Sequence, residues 1–168
     1  MKLDSVLELS CSEEKFWSLF MDAEVNSVIY CRDLGFTAFR VVSCEQSGDA
    51  VHRKLNLAPG LAVPNILKRV IGERLRYWEE GTFDRSRGTY EFTIGPAAGA
   101  SWIDVAGTIF VRQGPNGPVR VATLKVSSRV PIVGAQLEAF VCHNLEEGLT
   151  RFAAALNARA ERMQWADA

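Results

Sequence analysis

A chain of 168 residues, 48% of them hydrophobic and 23% charged, has ordinary globular usage and is long enough for one core that buries roughly 70% of the surface its unfolded form exposes. Lys plus Arg (19) and Asp plus Glu (20) leave a net charge of −1, so no global field draws in nucleic acid or an anionic membrane. The opening Met1-Lys2-Leu3-Asp4-Ser5 lacks the apolar run of a signal peptide, and no window approaches the ~20 apolar residues of a membrane span, which predicts a cytoplasmic protein without an integral membrane segment.

Leu3 to Leu9 reads as a first strand, and Ser10-Cys11-Ser12-Glu13-Glu14 then places hydroxyls and acids where a helix start wants them. Phe16, Trp17, Leu19 and Phe20 give that helix an apolar face, and a second short helix runs from Glu24 to Cys31 until Asp33-Leu34-Gly35 stops it. From Phe36 the period changes to two. Strands from Phe36 to Cys44 and from Ala50 to Leu57 flank the turn cluster Gln46-Ser47-Gly48-Asp49. Pro59-Gly60 and Pro64 interrupt the pattern, and Ile66, Leu67 and Val70 at helical spacing predict a short mid-chain helix.

Four more strands follow, Arg74 to Phe83, Thr89 to Ile94, Trp102 to Arg112 and Val119 to Val130. Their separators are turn chemistry: Asp84 to Gly88, Gly95-Pro96 with Gly99, and Gly114 to Pro118. Three successive short connections make antiparallel neighbours. The final segment, Ile132 to about Met163, follows Pro131 and contains no proline, so it can run as one helix of about 50 Å. Val133, Leu137, Phe140, Val141, Leu145, Leu149, Phe152 and Leu156 recur at three and four and are expected to be buried along one stripe. No linker or repeat divides the chain, so residues 1–168 read as a single domain. Its fold class is α+β: a curved, about seven-stranded antiparallel sheet wrapped around the long C-terminal helix, with short helices after strand 1 and a short mid-chain helix.

This succession resembles the START-like (SRPBCC, helix-grip) superfamily, which includes plant pathogenesis-related proteins, lipid-transfer domains and polyketide cyclases. Three segments are similar, more narrowly, to a bacterial group of uncharacterised START-like proteins: Asn65 to Gly72 before an Arg/Tyr-rich strand, the hairpin around Val105 to Ile109, and Val130 to Gly134 leading into the last helix. The resemblance implies a hydrophobic ligand held between sheet and helix. No catalytic motif of the cyclases matches, so no catalytic residue is carried over.

Strand alternation turns Leu55 and Leu57, Tyr90, Phe92 and Ile94, Ile103, Val105 and Ile109, and Leu124 and Val126 inward as a mostly apolar wall, while Asp104, Ala106, Thr108 and Phe110 point out. An ordinary packed core has the same composition. On the helix, Asn144 and Gly148 fall within the apolar stripe, beside Phe140 and Phe152, where a filled core would want bulk. Gly148 would leave space for a ligand and Asn144 would offer it a polar handle; alternatively Gly148 permits close helix-to-sheet approach and Asn144 bonds the backbone. Ile66, Leu67 and Val70 would form a lid, with Tyr77 and Trp78 able to stack on a ligand. Lys68, Arg69, Arg74 and Arg76 form a local basic cluster able to hold an anionic head group, or else a solvated turn.

Glu79 and Glu80 are adjacent in a strand, so they face opposite ways and cannot act as an acid/base couple, although one can enter the cavity alone. Cys11, Cys31, Cys44 and Cys142 show no C-x-x-C spacing, and His52 and His143 read as surface residues, so neither a metal nor a cofactor is expected. Three functions remain open: a binding or carrier protein for a lipid-like or polyketide-like molecule; an enzyme of the cyclase, dehydratase or hydrolase type with Glu79, Tyr77 or Asn144 as acid, base or orienting group; and an interaction module, such as a homodimer, using the sheet edge or outer face near Phe110 and Trp102.

Overall fold

The computed structural model describes residues 1–98 and 101–166; Gly99, placed in a turn by the sequence pattern, lies outside them. The chain forms β1 (Lys2–Glu8), α1 (Glu13–Met21) and α2 (Ala23–Val28), then a wide π-helical turn at Ile29–Asp33. After β2 (Ala38–Ser47) and β3 (Ala50–Ala58) come a 3-10 turn (Asn65–Leu67) and α3 (Lys68–Ile71). Four strands, β4 (Tyr77–Asp84), β5 (Thr89–Pro96), β6 (Ile103–Gly114) and β7 (Gly117–Ser128), lead to α4 (Gly134–Ala166).

All seven strands form one antiparallel sheet in the order β1-β7-β6-β5-β4-β3-β2, a meander from β2 to β7 that β1 closes on its far side. This is the helix-grip arrangement expected from the turn succession. The boundaries shift where local chemistry decides: β4 begins at Tyr77 rather than Arg74, and α4 starts two residues later than Ile132.

Local capping explains the N-terminal helices. Ser12 Oγ accepts from the Lys15 N–H at 3.2 Å, and Asp22 Oδ1 accepts from the Val25 N–H at 2.8 Å. The buried Asn26 side chain donates to the carbonyls of Leu19, Phe20 and Asp22, tying α2 to the C-terminal end of α1. Next, the wider π turn, closed by the Leu34 N–H on the Ile29 carbonyl, brings Tyr30 against Phe36, Phe39 and Phe152.

Beneath α1 an aromatic cluster forms part of the core, where Phe16, Trp17, Phe20, Phe83 and Tyr90 pack edge-to-face and stacked at ring separations of 4.4 to 5.7 Å. At the opposite end, α4 is joined to β7 by a tight turn. The Val133 N–H bonds the Pro131 carbonyl at 2.8 Å around Ile132, whose φ is 70° and whose side chain is 96% exposed. Glu138 then anchors the first turns of α4 by accepting from the Ser128 N–H at 2.8 Å, a bond that holds its carboxyl below the usual range.

Candidate functional site

The eight stripe residues of the last helix are not uniformly buried. Leu137, Phe152 and Leu156 are enclosed, whereas Phe140, Val141, Leu145 and Leu149 are half-buried, and so is Val133 ahead of the helix. The four in the middle line a cavity of about 340 Å³ between α4 and the inner sheet face. Gly148 sits among them, and a Cβ built there would meet nothing within 4 Å. Native interiors contain few voids larger than a water molecule, so a space of this size is not a packing defect. A broader depression of about 1050 Å³ lies on the opposite sheet face, but it is an open trough among His52, Lys54, Glu80, Thr82, Glu91 and Lys125, with nothing to exclude water.

Ten of the residues predicted to contact a ligand stand around the inner cavity: Tyr77, Phe92, Ile94, Ile103, Val105, Ile109, Phe140, Asn144, Gly148 and Phe152. Leu55, Leu57 and Leu67 are fully buried but away from it, Val70 is half-buried, and Ile66 is exposed. None of Lys68, Arg69, Arg74 and Arg76 lines the space; Lys68 pairs with Glu73 at 3.0 Å, and the three arginines face solvent. The mid-chain connection reaches the cavity through Pro59, Gly60, Leu61 and Leu75 instead. Trp102, considered for an outer interface, is part of the cavity wall. Asn144 donates one Nδ2–H to the Phe140 carbonyl one turn back at 2.7 Å, which leaves its Oδ1 and its second N–H to meet a ligand.

Two arginines absent from the expected site are buried on the inner face. Arg53 alternates with Leu55 and Leu57 along β3, and Arg120 with Ala122, Leu124 and Val126 along β7; they are 4% and 2% exposed. Arg53 lies 3.6 Å from the Glu79 carboxylate, donates to the Phe20 carbonyl at the C-terminal end of α1 at 2.9 Å, and packs against the Phe20 and Tyr90 rings. Tyr90 completes the cluster by donating to Glu79 Oε1 at 2.8 Å. Burial alone disfavours the Arg53 charge, but Tyr90 and Glu79 more than offset this and raise its pKa.

Glu79, Tyr90, Tyr30 and Tyr77 all face the cavity. Burial, followed by neighbouring charge, holds the three phenols above their ordinary pKa, so at neutral pH they are hydrogen-bond donors and not phenolate bases. Among the described residues, the Tyr30 and Tyr77 hydroxyls have no protein partner, and no cluster of three His, Cys, Asp or Glu side chains could hold a metal.

The sheet and the helix that grips it form a START-like fold, and solved structures share it. A Thermus thermophilus protein, TTHA0849, superposes with a TM-score of 0.65 at 18% identity over 95% of this chain and 99% of its own. A START superfamily protein from Mycobacterium smegmatis gives 0.60 at 15% identity over 96% and 98%. The di-domain ARO/CYC BexL of the BE-7585A biosynthetic pathway gives 0.56 at 12% identity, over 96% of this chain and 46% of its own. Residues 4–159 match the family described as a protein of unknown function (DUF2505), and the chain belongs to that family. No curated protein matches the sequence.

Proposed function

We propose that this protein binds and carries a hydrophobic small molecule, lipid-like or polyketide-like, in the cavity between its sheet and α4. The observation that carries this reading is the hollow middle of the helix stripe: four half-buried apolar side chains flank a glycine that opens onto empty space, where leucine would have filled a core. About 340 Å³ falls at the lower end of the range for small-molecule sites, and an apolar wall with a few placed polar groups is their usual lining. Native mass spectrometry of protein purified from cells, followed by solvent extraction, tests the reading. An apolar molecule bound one-to-one is expected in the wild type and missing from Gly148→Leu. A wild type that is empty and takes up no apolar probe would sink it.

A second reading, an enzyme of the cyclase or dehydratase type in the same pocket, draws on one observation: the Glu79 carboxylate faces the cavity within reach of phenol donors. It predicts that the extracted molecule is converted on incubation with wild-type protein and left unchanged by Glu79→Gln.

A further inference from the structure

We propose that the ligand is an organic monoacid whose carboxylate is received by Arg120, with its apolar body lying along α4 from Leu149 toward Phe140. This rests on the ligand-binding reading above and adds a charge and an orientation to it.

The guanidinium is 2% exposed and lines the cavity. Of its five N–H groups, one on Nη1 donates to the Leu149 carbonyl at 3.1 Å and one on Nη2 to Ser5 Oγ at 2.8 Å, while Nε, also buried, has no partner. Both acceptors are neutral. Among the described residues no carboxylate lies within ion-pair distance of Arg120, and the two acids on the cavity wall are engaged elsewhere. Glu79 is held by Arg53 and Tyr90, and the exposed Glu147 lies 3.9 Å from both His143 and Arg151. Nor does the sheet bring Glu79 near: its row runs through Ile94 and Val105 to Val126, six residues along β7 from Arg120.

Burial lowers the Arg120 pKa to about 10, so at neutral pH the side chain is still a cation, set in a largely apolar wall. A buried charge without a counter-ion is strongly unfavourable, and proteins that bury arginine usually pair it. A neutral apolar ligand would leave that deficit in place. A carboxylate removes it, because its two oxygens match the guanidinium fork, and a single negative charge balances the single cation. The solvent-facing arginines at positions 69, 74 and 76 lack this deficit and lie off the cavity.

The test is calorimetric titration of the delipidated full chain with two acid/alcohol pairs of equal apolar body: decanoate with decanol, and 1-naphthaleneacetate with 2-(1-naphthyl)ethanol. In the wild type the acid of at least one pair should bind roughly 10-fold or more tightly than its alcohol. Arg120→Met should bring that ratio to about one with the alcohol affinity unchanged, and Arg120→Lys should keep part of it. Equal binding of acid and alcohol by the wild type, or an acid preference that survives in Arg120→Met, would overturn the proposal while leaving the apolar cavity in use. Uptake of none of the four probes would overturn the carrier reading and this one together. Should Arg120→Met fail to fold, the wild-type ratio and Arg120→Lys decide the matter.

Discussion

The two buried arginines of the inner sheet face stand in contrasting surroundings. Arg53, beneath α1, is enclosed by a carboxylate, a phenol, a helix-end carbonyl and two aromatic rings. Arg120, on β7, bonds a helix carbonyl and a serine hydroxyl, has no other hydrogen-bond partner among the described residues, and opens onto the cavity beneath α4. Both Nε atoms are buried without a partner, so the difference lies in charge: Arg53 has a carboxylate beside it, and among the described residues Arg120 has none. A buried cation is informative about function chiefly when its counter-charge is missing.

The largest expected effect separates the two by sign. Arg53→Met leaves the Glu79 carboxylate, 12% exposed, without its cation and should cost about 3–5 kcal/mol in urea unfolding, whereas Arg120→Met removes an unpaired ion and should leave the ligand-free protein as stable or more so. Equal losses in both variants would erase the contrast. A smaller effect probes the packing that holds the Arg53 cluster together. Gly81 lies under the Tyr90 ring, and a Cβ there would overlap it, so Gly81→Ala should displace the phenol from Glu79 and cost about 1–3 kcal/mol, read as a lowered Tm.

The smallest effect concerns alkaline pH. The folded-state pKa of Arg120, about 10, lies below the ordinary arginine value, so above about pH 10 the unfolded chain binds more protons and this residue's contribution to stability rises with pH. The phenols of Tyr30, Tyr77 and Tyr90 work the other way. Their folded pKa values lie above the ordinary 10, so the stability they confer is complete below pH 10 and is lost progressively from there up to the folded values. Wild type should therefore gain about 1 kcal/mol on Arg120→Met between pH 8 and 11, even as both lose stability. Parallel pH profiles would mean that Arg120 is better compensated than its surroundings suggest.

Much of this was legible in the sequence, for identifiable reasons. Turn clusters at short intervals fix the meander, and the proline-free apolar stripe fixes α4. The gap at Gly148 could be read from the stripe because a missing side chain interrupts a strong period. The inward arginines were encoded just as plainly, since turning Leu55 inward turns Arg53 inward and turning Leu124 inward turns Arg120 inward. They are easy to overlook because charge is ordinarily assigned to solvent, and because Lys68, Arg69, Arg74 and Arg76 form the larger basic cluster, while Arg53 has only Lys54 beside it and Arg120 has no charged neighbour in sequence. Tyr30 had no such signal, as its approach to the cavity depends on a π turn that helical spacing does not reveal.

The tight turn around Ile132 bears on how firmly the long helix is fastened. A β-branched residue held at positive φ carries backbone strain of the order of 1–3 kcal/mol, and a side chain 96% exposed recovers almost none of it through burial. The joint between sheet and gripping helix is therefore a preloaded spring, opposed by the anchor of Glu138 on Ser128. Glycine at this joint would relax it, making Ile132 the natural place to harden the protein without touching the pocket.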